Sequence, residues 1–127
     1  MITEDYVSFE IAKLLKDKGF DELCSKKYNC HKSIVPAGRN IELWQNSEFD
    51  VDEECSAPTF QMAMKWIRDI HNLDIIVPPQ FDNSKWTYSS IIFKLSIPCT
   101  EIRLNDNKDK KEEAYEAAIK YCLENLI

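Results

Sequence analysis

The apolar residues of this sequence change period along the chain, from helical spacing to strand alternation and back, and that order limits the fold more than any other feature. In the N-terminal segment Val7, Ile11, Leu14 and Leu15 fall within one arc of about 100°, the core stripe of a helix, while Phe9 points the opposite way. Thr3 is the expected N-cap, with Glu4 and Asp5 in the first turn and Lys16 and Lys18 in the last before Gly19, where charge complements the helix ends. A second helix is capped by Ser56 or Ala57, has Pro58 at its first position and runs to His71, with Asn72 as its stop. Its stripe is Phe60, Ala63, Met64, Ile67 and Ile70; Met62 lies opposite and Trp66 on the flank. After the polar residues 105–110, Asp109 or a neighbour opens a third helix, with Tyr115, Ala118, Ile119, Cys122, Leu123 and Leu126 on one face.

Between these helices the pattern is extended. Lys26 to Val35 and Ile41 to Trp44 read as short strands separated by the turn-like Pro36-Ala37-Gly38-Arg39-Asn40. Residues 46–55 hold Glu48, Asp50, Asp52, Glu53 and Glu54 with little apolar pattern and read as a solvated loop. Leu73 to Val77 is a strand halted by Pro78-Pro79, and Trp86 to Ile97 a longer one ended by Pro98, with hairpin chemistry at Asp82-Asn83-Ser84. The order predicts one α+β domain over residues 1–127, with three helices packed on a mostly antiparallel sheet of three to five strands. A chain of 127 residues can bury a core of its own without staples.

Composition removes several functions. The two glycines, Gly19 and Gly38, cannot build a Gly-x-Gly-x-x-Gly turn or a Walker-type phosphate loop, both of which bring backbone close to phosphate at dihedrals other residues avoid. A net charge of −6 repels the phosphate backbone, so duplex nucleic acid is disfavoured as a partner. The acidic start, with no apolar run after it, predicts no secretory signal, and no stretch approaches a membrane span, so a cytoplasmic protein is expected. Cys24, Cys30, Cys55, Cys99 and Cys122 are odd in number and irregular in spacing, which predicts free thiols.

Five constellations of residues could carry chemistry or binding. Cys24, Cys30-His31 and Cys55 lack the close cysteine pairs of structural zinc sites, and Asp50-x-Asp52-x-Glu54 has Cys55 where a calcium loop needs glycine and Gln61 where it needs a bidentate glutamate. No metal and no cofactor is expected. A thiol-dependent enzyme would draw on Cys30 or Cys24 with His31 or His71, none of which carries a local signature; His71 suits a helix end, and Cys30 and His31, as strand neighbours, should face opposite ways. The strand from Trp86 has Ile91, Phe93, Leu95 and Ile97 on one face, read as core. Trp86, Tyr88 and Ile92 share the other face with Lys94, which reads either as covered by another layer or subunit or as a platform on which single-stranded bases could stack between Lys85 and Lys94. Phe9, Met62 and Trp66 lie off their helices' core stripes; they are either buried under the 46–55 loop or, if contiguous, make a protein-partner surface, with a symmetric homodimer as its commonest use.

The stretch Ala57-Pro58-Thr59-Phe60-Gln61-Met62-Ala63-Met64-Lys65-Trp66-Ile67-Arg68-Asp69-Ile70-His71-Asn72-Leu73-Asp74-Ile75 resembles a group of small hypothetical proteins of gut Bacteroides-type bacteria and their phages or mobile elements. So do Trp86-Thr87-Tyr88, Tyr115-Glu116-Ala117-Ala118, Thr3 to Glu10 and the Lys18 to Glu22 turn. The resemblance spans most of the chain and brings no functional residues with it. It implies a bacterial cytoplasmic setting and a phage-related role in which a small accessory protein binds a host or phage component. The sequence thus leads first to a non-enzymatic protein-interaction module, second to single-stranded nucleic-acid binding through the aromatic strand face, and third to a thiol-dependent enzyme.

Overall fold

A computed structural model of the chain describes residues 5–39, 42–49 and 53–127. It is α+β, as expected, with three α-helices and antiparallel pairing throughout the strands. The strands are divided between two sheets, and the chain's contacts gather in two compact units, residues 1–63 and 64–127.

In the first unit, helix α1 is Phe9–Asp17, and Ser8 is its N-cap, the hydroxyl accepting from the Ile11 amide at 3.4 Å. The expected cap, Thr3, lies outside the described residues. Residues 5–7 are committed elsewhere: Val7 N–H donates to Pro58 O at 3.0 Å, Phe60 N–H donates to Asp5 O at 3.1 Å, and Tyr6 bridges Thr59. Val7 is therefore buried from an extended segment rather than from a helix stripe. The helix end is as expected. Gly19 takes φ +93°, its N–H donates to Lys16 O, and Phe20 N–H reaches back to Leu15 O, which is a Schellman motif closed by burial of both Phe20 and Leu15.

Strand β1 (Lys26–Tyr28) pairs with β2 (Ile34–Pro36) on one side and with β3 (Cys55–Ser56) on the other. The hairpin thus turns at 29–33 rather than at 36–40. Asn29 makes the turn: its side-chain oxygen accepts from the amides of His31 at 2.9 Å and Ser33 at 3.0 Å, while Lys32 takes φ 61°. Cys30 and His31 consequently sit in an exposed turn, not in a strand. Ile41, Asp50 and Asp52 lie outside the described residues; Trp44 forms an isolated bridge with Cys24. The 46–55 segment is more than a solvated loop. It opens with a 3-10 turn, Asn46–Glu48, whose Asn46 is buried, and closes in the buried strand β3.

Helix α2 is Phe60–His71, starting two residues later than the Pro58 position because Pro58 and Thr59 pair with residues 6 and 7; the Thr59 hydroxyl accepts from Met62 N–H at 3.2 Å as the cap. It ends at Asn72, φ 57°, as expected. In the second unit β4 (Leu73–Ile76) and β5 (Pro79–Asp82) both pair with β6 (Lys85–Lys94). Their registers are continuous, Ile76 opposite Ile91 and Pro79 opposite Tyr88, so the two lie along one edge of β6 as a strand interrupted at Pro78, which has no N–H to donate. Asn83 at φ 50° and Ser84 at φ 63° form the two-residue turn of a type I′ hairpin where hairpin chemistry was expected.

Strand β7 (Thr100–Lys108) runs along the other edge of β6, where the sequence suggested only a polar connection over 105–110. Ile102 and Leu104 are its inward residues and the rest are polar, a weak strand signal that suits an edge. Helix α3 (Lys111–Tyr121) packs against β6 and buries Ala114, Ala118 and Ile119; a π-turn, Cys122–Leu126, continues it and buries Cys122 and Leu123. Asp109 does not cap it, since Lys110 is the N-cap residue and Asp109 pairs with Lys85.

The burial of β6 reverses the expectation from its pattern. Ile92 is fully buried with Ile75 opposite, while Ile91 and Phe93 are half-buried and Leu95 and Ile97 exposed. Both faces of this strand are apolar in sequence, so alternation sets two faces without saying which one receives a helix.

Candidate interaction surfaces

Of Phe9, Met62 and Trp66, only Met62 is exposed. Phe9 is half-buried, edge-on to the Tyr28 ring at 5.6 Å between centroids, with the Lys32 ammonium 5.3 Å from its own ring. Met62 is 37% exposed, and its sulfur lies 3.7 Å from the Cys24 sulfur. Trp66 is only 8% exposed, its ring edge-on to His71 at 4.8 Å. Helix α2 is rotated from the expected stripe: Ala63, Trp66 and Ile67 are buried and Ile70 is exposed. A large flat ring next to a helix's apolar arc buries more area than an isoleucine on its rim, which favours this rotation.

Trp86 is different, being 57% exposed on the β5–β6 hairpin. The register sets Phe81, 62% exposed, directly across from it, with ring centroids 5.1 Å apart. The two-residue turn sets the register of this cross-strand pair. Phe81 escaped sequence reasoning, although the turn at residues 83 and 84 places 81 opposite 86 by counting. Of the other residues expected on this face, Tyr88 is half-buried, Lys85 is paired with Asp109 at 3.1 Å, and Lys94 lies eight residues from Trp86, about 26 Å along the strand. The charge of the chain is uneven, with twelve acids and seven bases in residues 1–63 against ten and nine in residues 64–127.

The described cysteines are free thiols. Burial pushes Cys24 and Cys55 from an ordinary 9.0 up to about 11 and Cys122 up to about 12; the Ser56 hydrogen bond opposes the rise at Cys24, and Lys16 and Lys13 oppose it at Cys55. A raised thiol is the opposite of an activated nucleophile. Iodoacetamide at neutral pH should therefore modify the exposed Cys30 and Cys99 first, with Cys24, Cys55 and Cys122 reacting only on unfolding, read by peptide mass spectrometry; early labelling of Cys24 would contradict this. Because the folded thiols hold their protons more tightly than unfolded ones, their contribution to stability is complete below pH 9 and is lost as pH rises through about 11 to 12, a trend checked by urea titration across that range.

Among the described residues no group of three or more His, Cys, Asp or Glu side chains could hold a metal ion. A depression of about 310 Å³ in the first unit is lined by Lys16, Gly19, Phe20, Asp21, Asn46 and Ser47. Its polar groups are already engaged: Lys16 donates to Glu54 O, Asn46 to Phe20 O, and Ser47 N–H to Asp21. No described helix is long and apolar enough to cross a membrane.

Fold and surface together define an α+β protein with an exposed aromatic hairpin. No known protein family, curated protein or solved structure matches the chain.

Proposed function

We propose that this protein is a non-enzymatic protein-interaction module whose contact site is the Phe81–Trp86 hairpin. The observation that carries the reading is the pairing of two exposed aromatic rings on a turn-locked hairpin. Rigid aromatic anchors lose little conformational entropy on binding and are enriched where interfaces concentrate their energy. The raised pKa of Cys24 counts against that thiol as a nucleophile. The bacterial, cytoplasmic and phage-related setting belongs to the proposal too and rests on the sequence resemblance.

The test is capture from a lysate of a gut Bacteroides-type bacterium, with and without nuclease, using the unmodified chain and a Phe81→Ser, Trp86→Ser double variant. A protein retained through nuclease treatment and lost with the variant is the expected result. Retention by both proteins alike would reject the hairpin as the contact.

Single-stranded nucleic acid is the second reading, favoured by the exposure of Trp86 and by the concentration of net acidity in residues 1–63. It requires nuclease-sensitive capture and salt-sensitive oligonucleotide binding that Trp86→Ala weakens by about 1–3 kcal/mol.

A further inference from the structure

The second face of the second unit's sheet buries Thr87 and Ser89 near the hairpin but is partly exposed further along the strands. Residues directly opposite one another in antiparallel strands share a face, so Ile76, Ile91 and Arg103 form one cross-strand row, and Asp74, Phe93 and Glu101 form the next. This is the face opposite Ile75 and Ile92. Ile76 is 45% exposed, Ile91 and Phe93 are half-buried, and the chain leaves β6 through Leu95, 48% exposed, and the fully exposed Ile97. Along the β7 edge Glu101 and Arg103 form an ion pair at 3.1 Å, both side chains about half in solvent.

The order of these charges selects what can lie on the face. A second copy related by a twofold axis parallel to the sheet and perpendicular to its strands, midway between the two rows, sets each row over the other. Phe93 then covers the partner's Ile91, and Ile91 the partner's Phe93. Glu101 meets the partner's Arg103 and Arg103 meets the partner's Glu101, so two internal ion pairs become a ring of four alternating charges. At the β4 edge the same operation sets Asp74 over the partner's Ile76, a contact at the margin of the face that brings no like charges together. A twofold axis along the strands would instead bring Glu101 over the partner's Asp74, a like-charge contact, so the charges also choose between the two symmetric arrangements. Aligned sheets packed face to face stand about 10 Å apart, the depth that interdigitated Ile and Phe side chains fill.

We propose that a second copy of this chain covers this face, forming a homodimer in which the Ile91 and Phe93 rows interlock and Glu101 and Arg103 pair reciprocally across the twofold axis. The proposal does not depend on the hairpin, which belongs to a different part of the sheet.

Sedimentation velocity of the full chain over a range of concentrations tests it. The unmodified protein should associate reversibly to twice the monomer mass. Arg103→Glu makes the rim wholly acidic and Glu101→Arg wholly basic, so each should raise the dissociation constant about tenfold or more. The double exchange E101R/R103E restores alternation and should recover association to within about threefold of the unmodified chain. Circular dichroism and thermal melts of each variant establish that the fold is kept. A monomeric unmodified protein, single variants that associate as it does, or a double exchange as weak as the singles would each overturn the proposal. Phe81→Ser, Trp86→Ser should leave the dimer intact, whereas its loss in that variant would move the contact to the hairpin and likewise overturn this arrangement.

Discussion

Trp66→Ala is expected to destabilise the protein by about 3–5 kcal/mol, as removal of a buried large aromatic does elsewhere. Trp66 is 8% exposed and packs edge-on against His71, so truncation loses both transferred area and a ring contact and leaves a void the helix cannot close. Ile70→Ala, four residues further along α2, should change stability by less than about 0.5 kcal/mol because Ile70 is exposed. Helical periodicity instead places Ile70 in the core stripe and Trp66 only on its flank. Urea unfolding followed by circular dichroism separates the two descriptions. A Trp66 variant that kept its stability but lost association would restore Trp66 to the surface.

Asn46→Ala should cost about 2–5 kcal/mol, more than its small change in volume suggests. The side-chain amide donates to Phe20 O at 2.6 Å, and its oxygen accepts from Ser56 N–H at 2.8 Å, both in the interior of the first unit. Truncation leaves a buried carbonyl and a buried amide unpaired, each worth about 1–3 kcal/mol when desolvated without a partner. Asn46→Asp keeps the acceptor for Ser56 but sets a carboxylate against the Phe20 carbonyl, so it should not recover the lost stability at neutral pH. Denaturant midpoints of both variants provide the measurement; a shift under about 0.5 kcal/mol for the alanine variant would show that water replaces the amide at this position.

The same asparagine marks where reading from sequence stops. The five acids between residues 46 and 55 dominate the composition of that stretch and make it look solvated, yet one amide at its start and one short strand at its end tie it into the interior. Nothing in the local sequence indicates that Phe20 and Ser56 will converge on Asn46. Of the surfaces weighed, the face of Trp86 was legible as apolar but its exposure was not, and Phe81 follows only once the turn at residues 83 and 84 pairs β5 with β6.

By itself the sequence determined the α+β class, the end of α1 at Gly19, the stop of α2 at Asn72, the hairpin at Asn83-Ser84 and the buried stripe of α3. These depend on local physics: a left-handed residue closing a helix, a turn that matches strand twist, and one apolar arc repeating at 3.6 residues. Only the tertiary structure decided that Ile92 rather than Ile91 faces the core, that Trp66 enters and Ile70 leaves, and that the polar 100–108 segment is a strand. In those cases local pattern leaves two choices of nearly equal energy, two apolar faces of β6 or two adjacent arcs of α2. The choice falls to area buried against elements distant in sequence, and to backbone groups of β6 that bond a partner strand however polar that partner is.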